Sequence, residues 1–292
     1  MRFAILLSVL TAITAAAELK VATLHPLLAD LSKEVGGDRI TVVELVEKNA
    51  DPHHFEPTPQ QIKEAGDIDL CLASGMDLES YLPALRSLLP AKAKLIEVGA
   101  SIPGIEGSCN NPDHHHHHDH DHGLDPHWWH SIDAFRRAAT ITAEAFAAAD
   151  PQGAEHYQSL AKDYRAKLDG LERWTKRQLV KVPRERRILP TAHAAFAYFC
   201  RDFGFEAVPV QGINREQMPD AKTLAELITK LKEDKVPAIF PEKSSNPKIL
   251  QALTADTGIQ LAPPLIADGT TADSYEEMVR YNVTTIVEAL AK

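Results

Sequence analysis

Residues 152–182 read QGAEHYQSLAKDYRAKLDGLERWTKRQLVKV. Tyr157, Leu160, Tyr164, Leu168, Leu171 and Trp174 recur at threes and fours on a polar background, the period of a helix that buries one stripe. Roughly thirty residues at ~1.5 Å each make a rod of about 45 Å, longer than a single small domain needs. Asp150-Pro151 punctuates its start, and Pro183 with the basic run Arg184–Arg187 ends it. Such a rod suits a connector between two lobes.

The flanking sequence supplies a lobe on each side. Before the rod, Leu19 to Thr23 alternates as a strand, Pro26 to Val35 has helical spacing stopped by Gly36-Gly37, and Arg39 to Val46 is β-rich. Thr58-Pro59-Gln60-Gln61 is a capping box with Pro at the first helical position. Ile68 to Ala73 is a continuous apolar run, as a buried parallel strand requires. A helix over Leu78–Leu89, a strand over Lys94–Val98 and an Ala-rich helix over Ile132–Ala148 follow, with an insertion at 100–124 between the last two.

After the rod, strands are expected at Arg187–Leu189, Phe205–Val210, Ala238–Phe240 and Ile259–Ala262. They alternate with helices at Ala194–Asp202, Asp220–Lys232, Pro247–Ala255 and Ser274–Ala291. The expected fold class is α/β: two β/α lobes with mainly parallel sheets, joined by one long rigid helix. The expected divisions are a signal peptide at 1–17, a first lobe at 18–150 carrying a His-rich loop at 110–123, the linking helix at 151–182 and a second lobe at 183–292. Ligands of such sheets bind beyond the carboxyl ends of the strands.

A chain of 292 residues with a net charge of -10 and no longer basic run excludes nucleic acid and anionic membrane surfaces as natural partners. Arg2, the apolar run Phe3–Ile13 and Ala15-Ala16-Ala17 form a secretory signal, with cleavage expected after Ala17. No Cys follows that apolar run, so lipid attachment there is not expected. No later apolar run is long enough to span a bilayer. Cys71, Cys109 and Cys200 are an odd number without a CxxC motif, and Cys71 reads as a buried thiol.

The chemistry announces itself in residues 114–130, HHHHHDHDHGLDPHWWH. His114, His115, His116, His117, His118, His120 and His122 form an exposed tract that reads as weak, accessory metal ligation. His127 differs, because it lies on a turn punctuated by proline. Asp-Pro-His occurs twice, at 51–53 and 125–127; proline fixes the geometry of the preceding aspartate, whose carboxylate can orient a metal-bound imidazole. His193 opens the first helix of the second lobe, and Asp268 lies in the loop before the last helix. Three imidazoles and one carboxylate, His53, His127, His193 and Asp268, would form a tetrahedral site drawn from four loops.

A lone loop histidine is ordinarily solvated, and His25, His54, His130 and His156 are read so. Trp128 and Trp129 are read as core or lobe-interface packing. Glu242 is a rival carboxylate, with an exposed turn position as its default reading.

The segments DPHHFEPTP (51–59), LDPHWWH (124–130), PTAHAAFAYFC (190–200), the Asp268 loop and SYEEMVRYN (274–282) resemble the metal-binding solute receptors of ABC-type zinc and manganese importers. The resemblance runs from the mature N-terminus to the last helix. It implies two α/β lobes on one rigid helix, a metal buried between them, three ligands at His53, His127 and His193, and a carboxylate at Asp268. It also implies periplasmic location, no enzymatic activity, a membrane permease as partner and a monomeric state.

Manganese-preferring members usually carry Glu at the third position, so His193 speaks for Zn2+ as the transported ion. Softness agrees, since imidazole suits zinc, copper and nickel while carboxylate and water suit manganese. Manganese or nickel transport stays open at this stage, as does a zinc-dependent hydrolase with three protein ligands and a water. No HExxH motif supports the hydrolase. Bound imidazoles must be neutral, so affinity is expected to fall as pH drops through about 6.5.

Overall fold

The computed structural model describes residues 18–46, 50–107, 123–213, 219–243, 246, 248–269 and 271–291. The signal peptide, Cys109 and the histidines of 114–122 lie outside them.

In the first half, strands β1 (Leu19–Thr23), β2 (Ile40–Glu44), β3 (Leu70–Ala73) and β4 (Lys94–Glu97) form a parallel sheet in the order β2-β1-β3-β4. Alternation along these strands sorts side chains into two layers. Val21, Leu70 and Leu72 face the main core, and Ala22, Cys71 and Ala73 face a second cluster with Ile62, Leu82 and Leu85. Helix α1 (Pro26–Gly36) packs in the main core, while α2 (Pro59–Ala65) and α3 (Leu82–Leu88) cover the other face. The capping box at Thr58 forms as its sequence dictates, with Thr58 Oγ1 accepting from Gln61 N and Gln61 Oε1 accepting from Thr58 N.

Helix α3 starts four residues later than its apolar spacing suggests. Residues Gly75, Met76 and Asp77 take positive φ, and the buried Glu79 carboxylate binds Ser74 N at 2.6 Å and Gly75 N at 3.0 Å. The turn is therefore held open from within. Burial pushes the Glu79 carboxyl up to about 7.

Two long helices follow, α4 (Ile132–Ala149), capped by Ser131 Oγ on Ala134 N, and α5 (Ala154–Leu179). The 26 residues of α5 span about 39 Å. Tyr157, Ala161, Tyr164, Leu168, Leu171, Thr175 and Leu179 make its buried stripe. Arg187 stops it by donating to the carbonyls of Leu179 and Val182, which a helix end leaves without intrahelical partners.

The second half comprises β5 (Ile188–Thr191), α6 (Ala197–Phe203), β6 (Glu206–Pro209), α7 (Ala221–Glu233), β7 (Ala238–Ile239), α8 (Lys248–Thr257), β8 (Gln260–Leu261) and α9 (Tyr275–Leu290). Strand β5 pairs with β6 and β7 with β8, all parallel, and a parallel bridge from Thr191 to Phe240 lays β7 beside β5. The order β6-β5-β7-β8 repeats that of the first sheet. Helix α5 packs on α1 of the first lobe and α9 of the second, and one apolar core runs from Leu19 to Leu290. The expected α/β class, with parallel sheets and a long helix, is the one observed.

Candidate metal centre

Each strand that turns back at the lobe interface delivers a polar side chain there. His25 follows β1, His53 lies in the β2–α2 loop, and His193 stands two residues past β5. Glu242 follows β7, and Asp268 lies between β8 and α9. His127 follows β4 at the end of the long insertion, whose two ends are held together. Gly107 N donates to Gly123 O, Glu106 pairs antiparallel with Leu124, and Asp125 N donates to Ile105 O. That stem fixes Asp125, and through it His127, although the tract it carries falls outside the described residues.

Ligand-type atoms of His53, His127, His193 and Asp268 all lie within 4.8 Å of one another. His127 and His193 are fully buried, Asp268 is buried and His53 is half-buried. His53 Nε2 is 3.1 Å from His127 Nε2, which is 3.3 Å from His193 Nε2. Four ligands at ~2.05 Å from a tetrahedral zinc stand about 3.3 Å apart, so these two spacings match adjacent corners.

The orienting carboxylates decide which nitrogen faces inward. Asp125 Oδ1 accepts from His127 N at 2.9 Å and lies 2.7 Å from His127 Nδ1. Glu242 accepts from His193 N at 3.0 Å and lies 2.7 Å from His193 Nδ1. A carboxylate can only accept, so both Nδ1 atoms carry the proton and both Nε2 atoms present lone pairs. Two lone pairs facing each other at 3.3 Å in a buried site repel unless a cation lies between them. The first Asp-Pro-His repeats the backbone half of the arrangement, with Asp51 Oδ1 accepting from His53 N at 3.0 Å, while Asp51 Oδ2 lies 3.5 Å from His54 Nδ1.

Three positions depart from their sequence reading. Glu242 is buried rather than exposed, and its two oxygens engage His193, so it orients a candidate ligand. The place was legible as the carboxyl end of a strand, but a strand of two residues gives a weak signal. His25 and His130 were expected in solvent and are buried. His25 caps α1, its Nδ1 accepting from Leu27 N at 3.2 Å, and its ring lies 4.4 Å from Trp129. Burial lowers His25 to about 4 and His130 to about 3. Burial, then the nearby His127, also lowers His53 to about 3. His54 is exposed as expected, and Trp128 and Trp129 are buried in the core.

Two parallel-sheet lobes on a single helix, with candidate metal ligands buried where the lobes meet, are the architecture of a solute receptor with a site sized for a small cation. The chain belongs to the family described as zinc-uptake complex component A, periplasmic (ZnuA), which it matches over residues 21–289. These are metal-binding receptors of ABC importers and not enzymes, as the sequence resemblance implied.

The chain is 30% identical over 292 residues to the manganese ABC transporter substrate-binding lipoprotein PsaA of Streptococcus pneumoniae, covering 96% of this chain and 91% of that one. It is 29% identical over 289 residues to the manganese-binding lipoprotein MntA of Bacillus subtilis, covering 94% and 90%. Among solved structures, the periplasmic zinc binding protein TroA of Treponema pallidum matches with a TM-score of 0.81 and 28% identity, over 94% of this chain and 99% of that one. Among the described residues no helix is long and apolar enough to cross a membrane.

Proposed function

We propose that this receptor captures Zn2+ in the periplasm, between its lobes, and passes it to a membrane permease. His53 and His127 from the first lobe and His193 and Asp268 from the second are the proposed ligands, with the lobes divided at 150/151 and 182/183. The carrying observation is the convergence of three imidazole Nε2 atoms, two of them fixed as lone-pair donors by buried carboxylates. Three borderline nitrogen ligands and one carboxylate suit zinc better than manganese, which favours oxygen. Copper binds such sites more tightly still, so selection rests on tetrahedral geometry and on the supply of each metal.

In this reading the protein acts as a monomer, enters the periplasm after cleavage behind Ala17 and uses the histidines of 114–122 as a weak collector. The relatives named for manganese support the alternative, a manganese receptor of the same type. The deciding experiment is elemental analysis of protein purified without added metal, followed by competition between zinc and manganese under a chelator buffer. Zinc at one tight equivalent, undisplaced by a hundredfold excess of manganese, is the expected result. Displacement by equimolar manganese would overturn the proposal.

A further inference from the structure

Trp129 Nε1 and His130 Nε2, on consecutive residues of the first lobe, converge on one oxygen of the second. That oxygen is the carbonyl of Ala267, at 2.8 and 2.7 Å. Both side chains are buried, 1% and 5% exposed. A carbonyl has two lone pairs and no proton to give, so His130 donates from Nε2 and the pair saturates the oxygen. Ala267 immediately precedes Asp268.

The rest of that loop is fixed as closely. Asn282 of α9 accepts from Ile266 N and donates to Ile266 O, both at 2.8 Å. Gly269, with φ +71°, sits where a Cβ would meet Leu27 Cγ of α1 at 2.5 Å. Ile266 is thus tied within its own lobe, while Ala267 and Gly269 are held against the other. The short turn Trp128–His130 that carries both donors also follows directly on His127.

We propose that Trp129 and His130 are positioning residues, a two-donor latch that fixes the Asp268 loop across the cleft and sets how slowly the bound ion leaves. The inference rests on Asp268 being a ligand. Because His127 and both donors share one turn, an imidazole ligand from one lobe and the carboxylate from the other move together or not at all. The Asp268 loop then leaves the first lobe only when both bonds to Ala267 break, which ties release of the carboxylate ligand to lobe separation.

The test uses the full chain loaded with Zn2+, and with Co2+ as a spectroscopic probe. Trp129→Phe keeps the buried ring and loses the donor. His130→Phe keeps the stacking on Phe196, whose ring centroid is 4.3 Å away, while His130→Gln restores an N–H. A net hydrogen bond of about 1 kcal/mol corresponds to about fivefold, so each Phe variant should release zinc to excess chelator about fivefold faster. His130→Gln should stay near the parent rate. The Co2+ visible spectrum of the Phe variants should lose intensity as the carboxylate loosens, an effect that lowered stability alone does not produce.

Asp268→Ala separates the two layers of the argument. It should release fastest, and adding Trp129→Phe to it should change the rate less than about twofold. Parent-like release by both Phe variants, with fast release by Asp268→Ala, would overturn the latch and spare the ligand. Parent-like release by Asp268→Ala would overturn the ligand assignment and the latch with it.

Discussion

Acid should weaken the metal-free protein through a residue that is not a ligand. His25 is buried at the start of α1, its Nδ1 lone pair caps Leu27 N, and burial holds its pKa at about 4. In the unfolded chain the same imidazole titrates near 6.5. Between those values the unfolded state binds a proton that the folded state refuses, so stability falls as pH drops from 6.5 towards 4 and is flat, for this group, above and below. At about 1.4 kcal/mol per pH unit the full cost approaches about 3 kcal/mol, of which about 2 kcal/mol has accrued by about pH 5.

His25→Asn isolates the effect, because asparagine caps a helix well and does not titrate. The variant loses ring contact with Trp129 and should be less stable at about pH 7.5, by an amount that does not matter to the test. What matters is the gap between parent and variant, measured by urea unfolding of chelator-treated protein at the two pH values. The apolar core shared by both lobes favours a single transition. The gap should close by about 2 kcal/mol on going to about pH 5. A gap that stays constant would mean that His25 titrates normally in the folded state and that burial does not depress it. Glu79, raised to about 7, acts with the opposite sign and stabilises the folded state in acid, which is why the difference between variants is the quantity to measure.

Glu242→Gln leaves the shape of the site but gives His193 one acceptor oxygen in place of two; zinc affinity should drop about 10- to 100-fold, and calorimetry showing parent affinity would remove the orienting role. His127→Ala should abolish the tight site, with unchanged calorimetric binding refuting the ligand set. His193→Glu should raise manganese affinity relative to zinc in a competition titration, since it exchanges an imidazole for a harder oxygen ligand. Gly269→Ala should lower the melting temperature by several degrees, because φ is +71° and the Cβ would strike Leu27.

The fold was legible because its signals are local and periodic. The stripe of α5, the capping box at Thr58 and the continuous apolar run of β3 each follow from spacing alone. Boundaries were less so wherever a single non-periodic contact decided them. Glu79 binding Ser74 N and Gly75 N delays α3. Ala194 N and Ala195 N are engaged by Gly212 O and His193 O before α6 can begin at Ala197. Gly212 lies well outside a helical window, and the contacts of Glu79 and of His193 O, though local, leave no periodic signal to read.

The centre divides in the same way. His53 and His127 could be read from a repeated Asp-Pro-His because the aspartate acts on the residue two places on, a contact the chain carries with it. Glu242 acts on His193 from 49 residues away, and Trp129 and His130 reach Ala267 across 138 and 137. The first partner exists only once β5 and β7 lie side by side, and the others only once the lobes have met, so a sequence shows the side chains without their purpose. Burial then reverses the reading of His25 and His130: the surface histidines of the sequence become neutral interior donors and acceptors. The prominent tract at 114–122 signals which ligand chemistry to look for, while the buried groups around His127 determine whether an ion can be held.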